Sequence, residues 1–241
     1  MNRKLQSFFS KIFDAIIPLF ATIIALILGV FVLKALGKDP LAAYAALFDG
    51  AFGNQRAIIQ TIIKATPLLL VGIGVCIAFR GGVINIGGEG QIIVGALASA
   101  AFALYVPIQS RWLMIPLSLL TAMLAGAIWG GIPGILKAKL GVNEILTTVM
   151  MNSIAVYLSN FLLRGPMIDP HEIEMGTRAA QTALLPEQSF LTRLSPPTQL
   201  NTGTILALVL AVVVFVMLFK TTIGYRIRAV GKSSDASKYA G

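Results

Sequence analysis

The sequence predicts an all-α polytopic membrane protein with about six transmembrane helices, and two observations carry that prediction. Of its 241 residues 56% are hydrophobic and 12% charged, where soluble domains average roughly 25% charged; mean hydropathy is +0.84. In addition, the stretches 15–33, 65–79, 90–110, 112–136, 145–163 and 194–219 contain no Asp, Glu, Lys or Arg. About 20 apolar residues cross a bilayer as a helix. The second stretch reaches that length by extending back through Lys64 to Ala57. The runs are continuous, unlike the alternating strands of about ten residues in a barrel, so helices are predicted throughout.

The predicted crossings span 15–36, 57–79, 90–110, 112–136, 143–163 and 202–219, giving a transmembrane domain over 1–219 and a terminal segment over 220–241. The first follows MNRKLQSFFSKIF, a basic start like that of a signal peptide. The apolar run after it exceeds the about 7–15 residues of a cleaved segment, so an uncleaved helix is expected, with Ala35-Leu36-Gly37 as the alternative cleavage site. Residues 37–56 read as a loop, with turn signals at Lys38-Asp39-Pro40 and Asp49-Gly50. In the second crossing Pro67 removes a backbone donor and is expected to kink the helix, while Lys64 has a stem long enough to reach the headgroups.

The third crossing is preceded by the glycine-rich GGVINIGGEGQ, and the fourth carries Gly126, Gly130 and Gly134 on one face, where they allow close approach of another helix. The fifth opens with GVNEILTTVMMNS. Segment 164–201 is polar and broken by Pro166, Pro170, Pro186, Pro196 and Pro197; it reads either as a connector or as a lid or partner-binding loop. Beyond the sixth crossing, one short helix is expected to end at Gly231 and a second to start at a Ser233 or Ser234 cap, with Asp235 in its first turn. The Gly-Lys-Ser there is no phosphate loop, because the position five before Gly231, where that motif needs glycine, is Arg226.

Net charge is +9, and its distribution matters more than its size. Arg3, Lys4, Lys11, Arg80, Lys137, Lys139, Lys220, Arg226, Arg228, Lys232 and Lys238 all fall on one side if the helices alternate. The positive-inside rule then places the amino terminus in the cytoplasm and accounts for the charge without nucleic acid. Cys76 is the lone cysteine and His171 the lone histidine, so an internal disulfide, a zinc site and a Ser-His-Asp triad have nothing to be built from.

Two polar clusters lie at membrane depth. The first sets Asn85, Glu89 and Gln91 among Gly81, Gly82, Gly87, Gly88 and Gly90. A lipid-facing glutamate costs about 2.5 kcal/mol or more, so Glu89 must face protein, water or a headgroup boundary. Glycine at this density weakens a helix by about 1 kcal/mol per residue. Two readings stay open: a broken or re-entrant segment lining a cavity, or a cytoplasmic turn with the next helix starting near Gly90. In the second cluster, Glu144, Thr147, Thr148 and Asn152 share a helix face below Asn143. Such a stripe points inward, either as a pathway lining or as hydrogen-bonded glue between helices.

GGVINIGGEGQIIVGA, GVNEILTTVMMNSIAVYLSNFLLRGP and TTIGYRIRAVGKSSDASKYAG together resemble the permease subunit of bacterial ABC importers of the nucleoside and simple-sugar type, within the branched-chain amino acid/ribose permease-like family. The resemblance implies a multi-pass protein of the bacterial cytoplasmic membrane, surrounded by lipid and paired with a second, identical or homologous permease subunit. It also implies a cytoplasmic ABC ATPase as partner and an extracytoplasmic substrate-binding lipoprotein that delivers substrate. ATP hydrolysis would reside in the partner, so the chain is not expected to be an enzyme, and no cofactor or metal is implied. Residues 220–241 resemble the cytoplasmic coupling segment, with Arg226, Arg228, Ala229, Gly231, Asp235, Ala236 and Gly241 as interface candidates. Asn85, Glu89, Gln91, Asn143, Glu144, Thr147, Thr148 and Asn152 are the pathway candidates, and the resemblance favours the cavity-lining break at 81–90. Permeases of this family continue for several helices past the coupling segment, so further helices are expected after residue 241. Two rival expectations are a proton-coupled transporter titrating Glu89 or Glu144, and a membrane scaffold that carries nothing.

Overall fold

A computed structural model describes residues 3–196 and 198–239; Pro197 and Gly241 lie outside the described residues. Six helices among them are long and apolar enough to cross a membrane, and no strand is present among the described residues. By packing, the chain divides into two units, 1–61 and 62–241.

The first unit holds α1 (Arg3–Ala35), α2 (Pro40–Phe52) and the opening turns of α3 (Gln55–Arg80). The expected loop at 37–56 is therefore corrected: most of it is a helix. Its two turn signals act at helix ends instead. Asp39 caps α2, accepting from Leu41 N at 2.9 Å, and Pro40 occupies the first helical position, where its missing N–H costs nothing. Asp49 accepts from the Gly53 N–H through its carbonyl. The Tyr44 hydroxyl donates to Leu26 O at 2.7 Å and fills the space a side chain at Gly29 would need.

The second unit contains the rest of α3, α4 (Gly88–Tyr105), α5 (Arg111–Leu140), α6 (Glu144–Arg164), the short α7 (Pro170–Glu174), a 3-10 turn at Glu187–Ser189, α8 (Thr202–Lys220), α9 (Thr222–Lys232) and α10 (Ser234–Tyr239). The third crossing is shorter than the sequence suggested, because α4 stops at Tyr105 and 106–110 are non-helical. The fourth is longer, running to Leu140. α3 continues through Pro67 as one helix.

α4 packs against α5 and α6. A side chain on Gly95 would meet Ala122 O at 3.0 Å, and one on Gly126 would meet Gln91 O at 3.3 Å, so backbones there approach within glycine range. Gly134 departs from the expected packing face. A side chain there would meet nothing within 4 Å beyond its own helix, and the residue borders a cleft instead. α3 and α8 are linked by Thr66 and Thr204, whose hydroxyls are 3.0 Å apart. Met114 and Leu218 are fully buried, whereas most large apolar side chains face outward, the inversion expected of helices whose solvent is lipid or a neighbouring subunit.

Segment 165–201 is ordered by local bonds. Asp169 caps α7, and Glu172 gathers donors from Thr177 Oγ1, Ala179 N and Gln181 Nε2. The Thr177 hydroxyl and Ala179 N–H hold the Glu172 carboxyl below its ordinary pKa, against the opposing effect of desolvation. Arg111 at the start of α5 donates to Phe190 O at 2.6 Å and Thr192 Oγ1 at 3.1 Å, fastening the segment to the helices.

Candidate functional site

The site is built around residues 81–87, a seven-residue connector between α3 and α4. No re-entrant helix forms here. The chain leaves α3 through Gly81 and Gly82, the latter at φ +79°, where a side chain would be strained. Asn85 Oδ1 then accepts from Gly87 N at 2.8 Å, closing a side-chain-mediated turn. α4 begins at Gly88, so Glu89 sits exposed in its first turn, where a carboxylate complements the positive end of the helix dipole.

The first N–H groups of α4 lack partners within their own helix, and Gly87 has no side chain to cap them. Asn152, one helix away, supplies the cap. Its Oδ1 accepts from Gly90 N at 2.9 Å, while its Nδ2 donates to Ile86 O at 3.1 Å. One amide from α6 thus satisfies both the irregular connector and the helix that follows it. Trp129 of α5 borders the same spot; its buried Nε1 has no hydrogen-bond partner among the described residues.

α5 ends at a left-handed Gly141 (φ 65°) whose N–H returns to Leu136 and Lys137 carbonyls, and Asn143 caps α6 by accepting from Ile145 N at 2.9 Å. This tight link brings Lys137 Nζ within 2.7 Å of Glu144 Oε2. Together they edge a cleft of about 200 Å³ lined by Val83 and Asn85 from the connector, Gly130, Pro133, Gly134 and Lys137 from α5, and Glu144 and Thr148 from α6. A wider hollow of about 720 Å³ runs along α2 past Tyr44 and Asp49, but no comparable set of polar groups converges on it.

Of the sequence-derived pathway candidates, Asn85, Glu144 and Thr148 meet at this cleft. Thr147 and Thr148 both donate to the Glu144 carbonyl, so their hydroxyl protons are spent on their own helix. Asn143 is an exposed cap. Gln91 is not among the residues lining the cleft; it packs on Gly130, its Nε2 lying where a side chain there would be. Sequence reasoning missed Lys137 and Trp129. Lys137 carried a signal, seven residues before Glu144 across a Gly-Val-Asn turn.

α9 approaches the connector from the other side. Gly231 has no room for a side chain, which would overlap the Arg80 carbonyl oxygen; a side chain on Gly82 would meet Gly231 Cα at 3.0 Å. Arg80 and Arg228 flank the Phe219 ring of α8, at 5.3 and 5.4 Å from its centroid. Ala229 O accepts from Ser233 N, and Ser233 Oγ accepts from Ala236 N, which makes the turn into α10, the element that carries Asp235. Arg226 is exposed.

Residues 57–241 match the family described as branched-chain amino acid transport system, permease component. The chain belongs to this permease family. It is 36% identical over 237 residues to the nucleoside ABC transporter permease protein NupB of Lactococcus lactis subsp. cremoris, covering 96% of this chain and 65% of that one. It is 37% identical over 226 residues to the guanosine ABC transporter permease protein NupP of Bacillus subtilis, covering 94% and 64%. A glucose ABC transporter permease protein of Haloferax volcanii, TsgB13, is 34% identical over 93% of this chain and 60% of its own length. This permease-family chain thus spans under two thirds of these relatives. No solved structure matches it. Family membership and six apolar helices make it a multi-pass membrane protein.

Proposed function

We propose that this chain is membrane-spanning permease of an ATP-binding cassette importer for nucleosides, with its amino terminus in the cytoplasm. The carrying observation is its identity of 36 and 37%, across more than nine tenths of its length, to permeases described as acting on nucleosides and guanosine. The cleft supports the reading. Its volume of about 200 Å³ is below the roughly 300–1,000 Å³ of pockets that enclose a small ligand, as befits one wall of a pathway completed by a second permease subunit.

In this reading a cytoplasmic ATPase docks on α9 and α10 through Arg226, Arg228, Ala229, Asp235 and Ala236, while Gly231, expected from the sequence as an interface residue, is taken up by the contact with Arg80 and Gly82. Closure of the ATPase pair rocks the helices between inward- and outward-open states, and an extracytoplasmic lipoprotein delivers substrate to segment 165–201. Asn85, Glu144 and Thr148 line the path; Asn143, Thr147, Asn152, Glu89 and Gln91 shape it. ATP chemistry belongs to the partner. The test is uptake of labelled guanosine into proteoliposomes containing the complete transporter. ATP-dependent uptake is expected; uptake driven by a pH gradient without ATP would sink the proposal. The Haloferax relative favours a second reading, a simple sugar as cargo. Glucose competing better than unlabelled nucleosides would select it.

A further inference from the structure

We propose that the connector 81–87 is the joint that carries motion of α9 to the cleft, with Gly82 and Asn152 as its positioning residues; this rests on the permease reading above.

At Gly82 the contact with α9 is backbone on backbone. A side chain on Gly82 would meet Gly231 Cα at 3.0 Å and Gly231 O at 3.2 Å, and one on Gly231 would lie 2.9 Å from the Gly81 carbonyl carbon. At Gly82 no rotamer stands between the two segments to absorb a displacement, so a shift of α9 meets the connector directly there, with the Ile227 side chain packed beside Gly81. The shared Phe219 ring between Arg80 and Arg228 keeps the two elements registered on α8.

The far end is held as firmly. Asn152 grips Ile86 O and Gly90 N, and a side chain on Gly87 would meet Thr148 Cβ at 3.3 Å. Between these anchors the connector is stiffened by the Asn85 to Gly87 turn and by Val83 N donating to Ala78 O at 3.0 Å. A short segment pinned at both ends and braced in the middle transmits movement. Val83 and Asn85, which ride on it, are cleft-lining residues. Displacement entering at Gly82 therefore moves Val83 and Asn85 relative to the α5 residues that line the opposite wall of the cleft, the kind of discrete repacking that converts a local shift into a change of access. By linkage, an occupied cleft biases α9 in return.

The test uses the complete transporter with Cys76→Ser and a reporter, Val83→Cys, which rides on the connector and lines the cleft without touching the Asn85 to Gly87 turn. The rate of maleimide labelling is read with and without ATP, beside ATP-driven uptake and ATP hydrolysis. In the parent, ATP is expected to change the labelling rate severalfold. Gly82→Ala should keep ATPase co-purification and basal hydrolysis while the labelling response and uptake fall at least tenfold. Asn152→Ala, which leaves the glycine contact intact, should give the same loss of response with the substrate KM unchanged. Gly131→Ala, which meets nothing within 4 Å, should behave as the parent. Normal ATP-dependent labelling and uptake in Gly82→Ala overturns the joint. A raised KM with full coupling in Asn152→Ala overturns it too, making that amide a substrate contact. If Gly82→Ala does not assemble, Asn152→Ala decides alone. A parent that transports nothing in response to ATP refutes the permease reading instead.

Discussion

Replacing Gly90 with alanine tests whether the α4–α6 contact is as tight as described. The added methyl would lie 2.9 Å from Asn152 Oδ1, 3.0 Å from Trp129 Nε1 and 3.2 Å from Asn152 Cα, where carbon contacts prefer about 3.5–4.0 Å. Asn152 cannot rotate aside without giving up its bonds to Gly90 N and Ile86 O. Overpacking of this kind costs about 1–3 kcal/mol, and loss of the Gly90 bond about 1 kcal/mol more. Better helix propensity returns about 1 kcal/mol. The net expectation is destabilisation of about 1–3 kcal/mol, dominated by overpacking. Gly131→Ala on α5, with open space around it, collects only the propensity gain. Thermal unfolding of the full-length permease in detergent should rank Gly131→Ala at or above the parent and Gly90→Ala clearly below. A Gly90→Ala protein that melts at or above Gly131→Ala would refute the packing argument.

Asn201 caps α8 by accepting from Gly203 N at 2.9 Å, so Asn201→Ala should cost about 1 kcal/mol in the same melting assay. The Lys137–Glu144 pair is partly open, with the lysine 46% exposed, so a double-mutant cycle should return a weak coupling that falls further as salt is raised. Glu172 has a folded pKa below its ordinary value of 4.5. Its contribution to loop order is therefore present above about pH 4.5 and lost as pH falls through the lower folded value. Limited proteolysis at 170–182 should accelerate on acidification in the parent, and Glu172→Gln should remove that pH dependence.

The crossings were legible because lipid as solvent imposes a simple rule, long apolar runs with satisfied backbones. The two short terminal helices were legible too, since Ser233 is a strong cap and Gly231 a natural end; in the structure α9 runs one residue further, to Lys232. What escaped were arrangements that depend on distant residues meeting. Asp39-Pro40 is both a turn signal and a helix start, and local sequence alone did not choose between them. The density of glycine around Asn85 suggested a broken helix, yet each glycine answers to a different neighbour: Gly82 to Gly231, Gly87 to Thr148, Gly88 to Val71 and Gly90 to Asn152. Helical spacing placed Asn152 correctly on the stripe with Glu144 and Thr148. It held no trace of the partner 62 positions away that fixes what this amide does.

That assignment also bears on which groups remain free to recognise cargo. A polar stripe at membrane depth invites reading every amide and hydroxyl as a ligand contact. Here the protein's own backbone has first claim, because an unsatisfied peptide group costs more in lipid than in water. Asn152 is used at both ends, Thr147 and Thr148 donate inward, and Asn143 caps its helix. At the cleft, Asn85 uses only its Oδ1, which leaves the Nδ2 donors without a partner among the described residues, and Lys137 has protons beyond the one given to Glu144. Donors that remain free therefore sit on the connector and the end of α5, not along the stripe. In the proposed reading, recognition and gating draw on the same short segment: the connector that carries Asn85 is also the one pressed against Gly231.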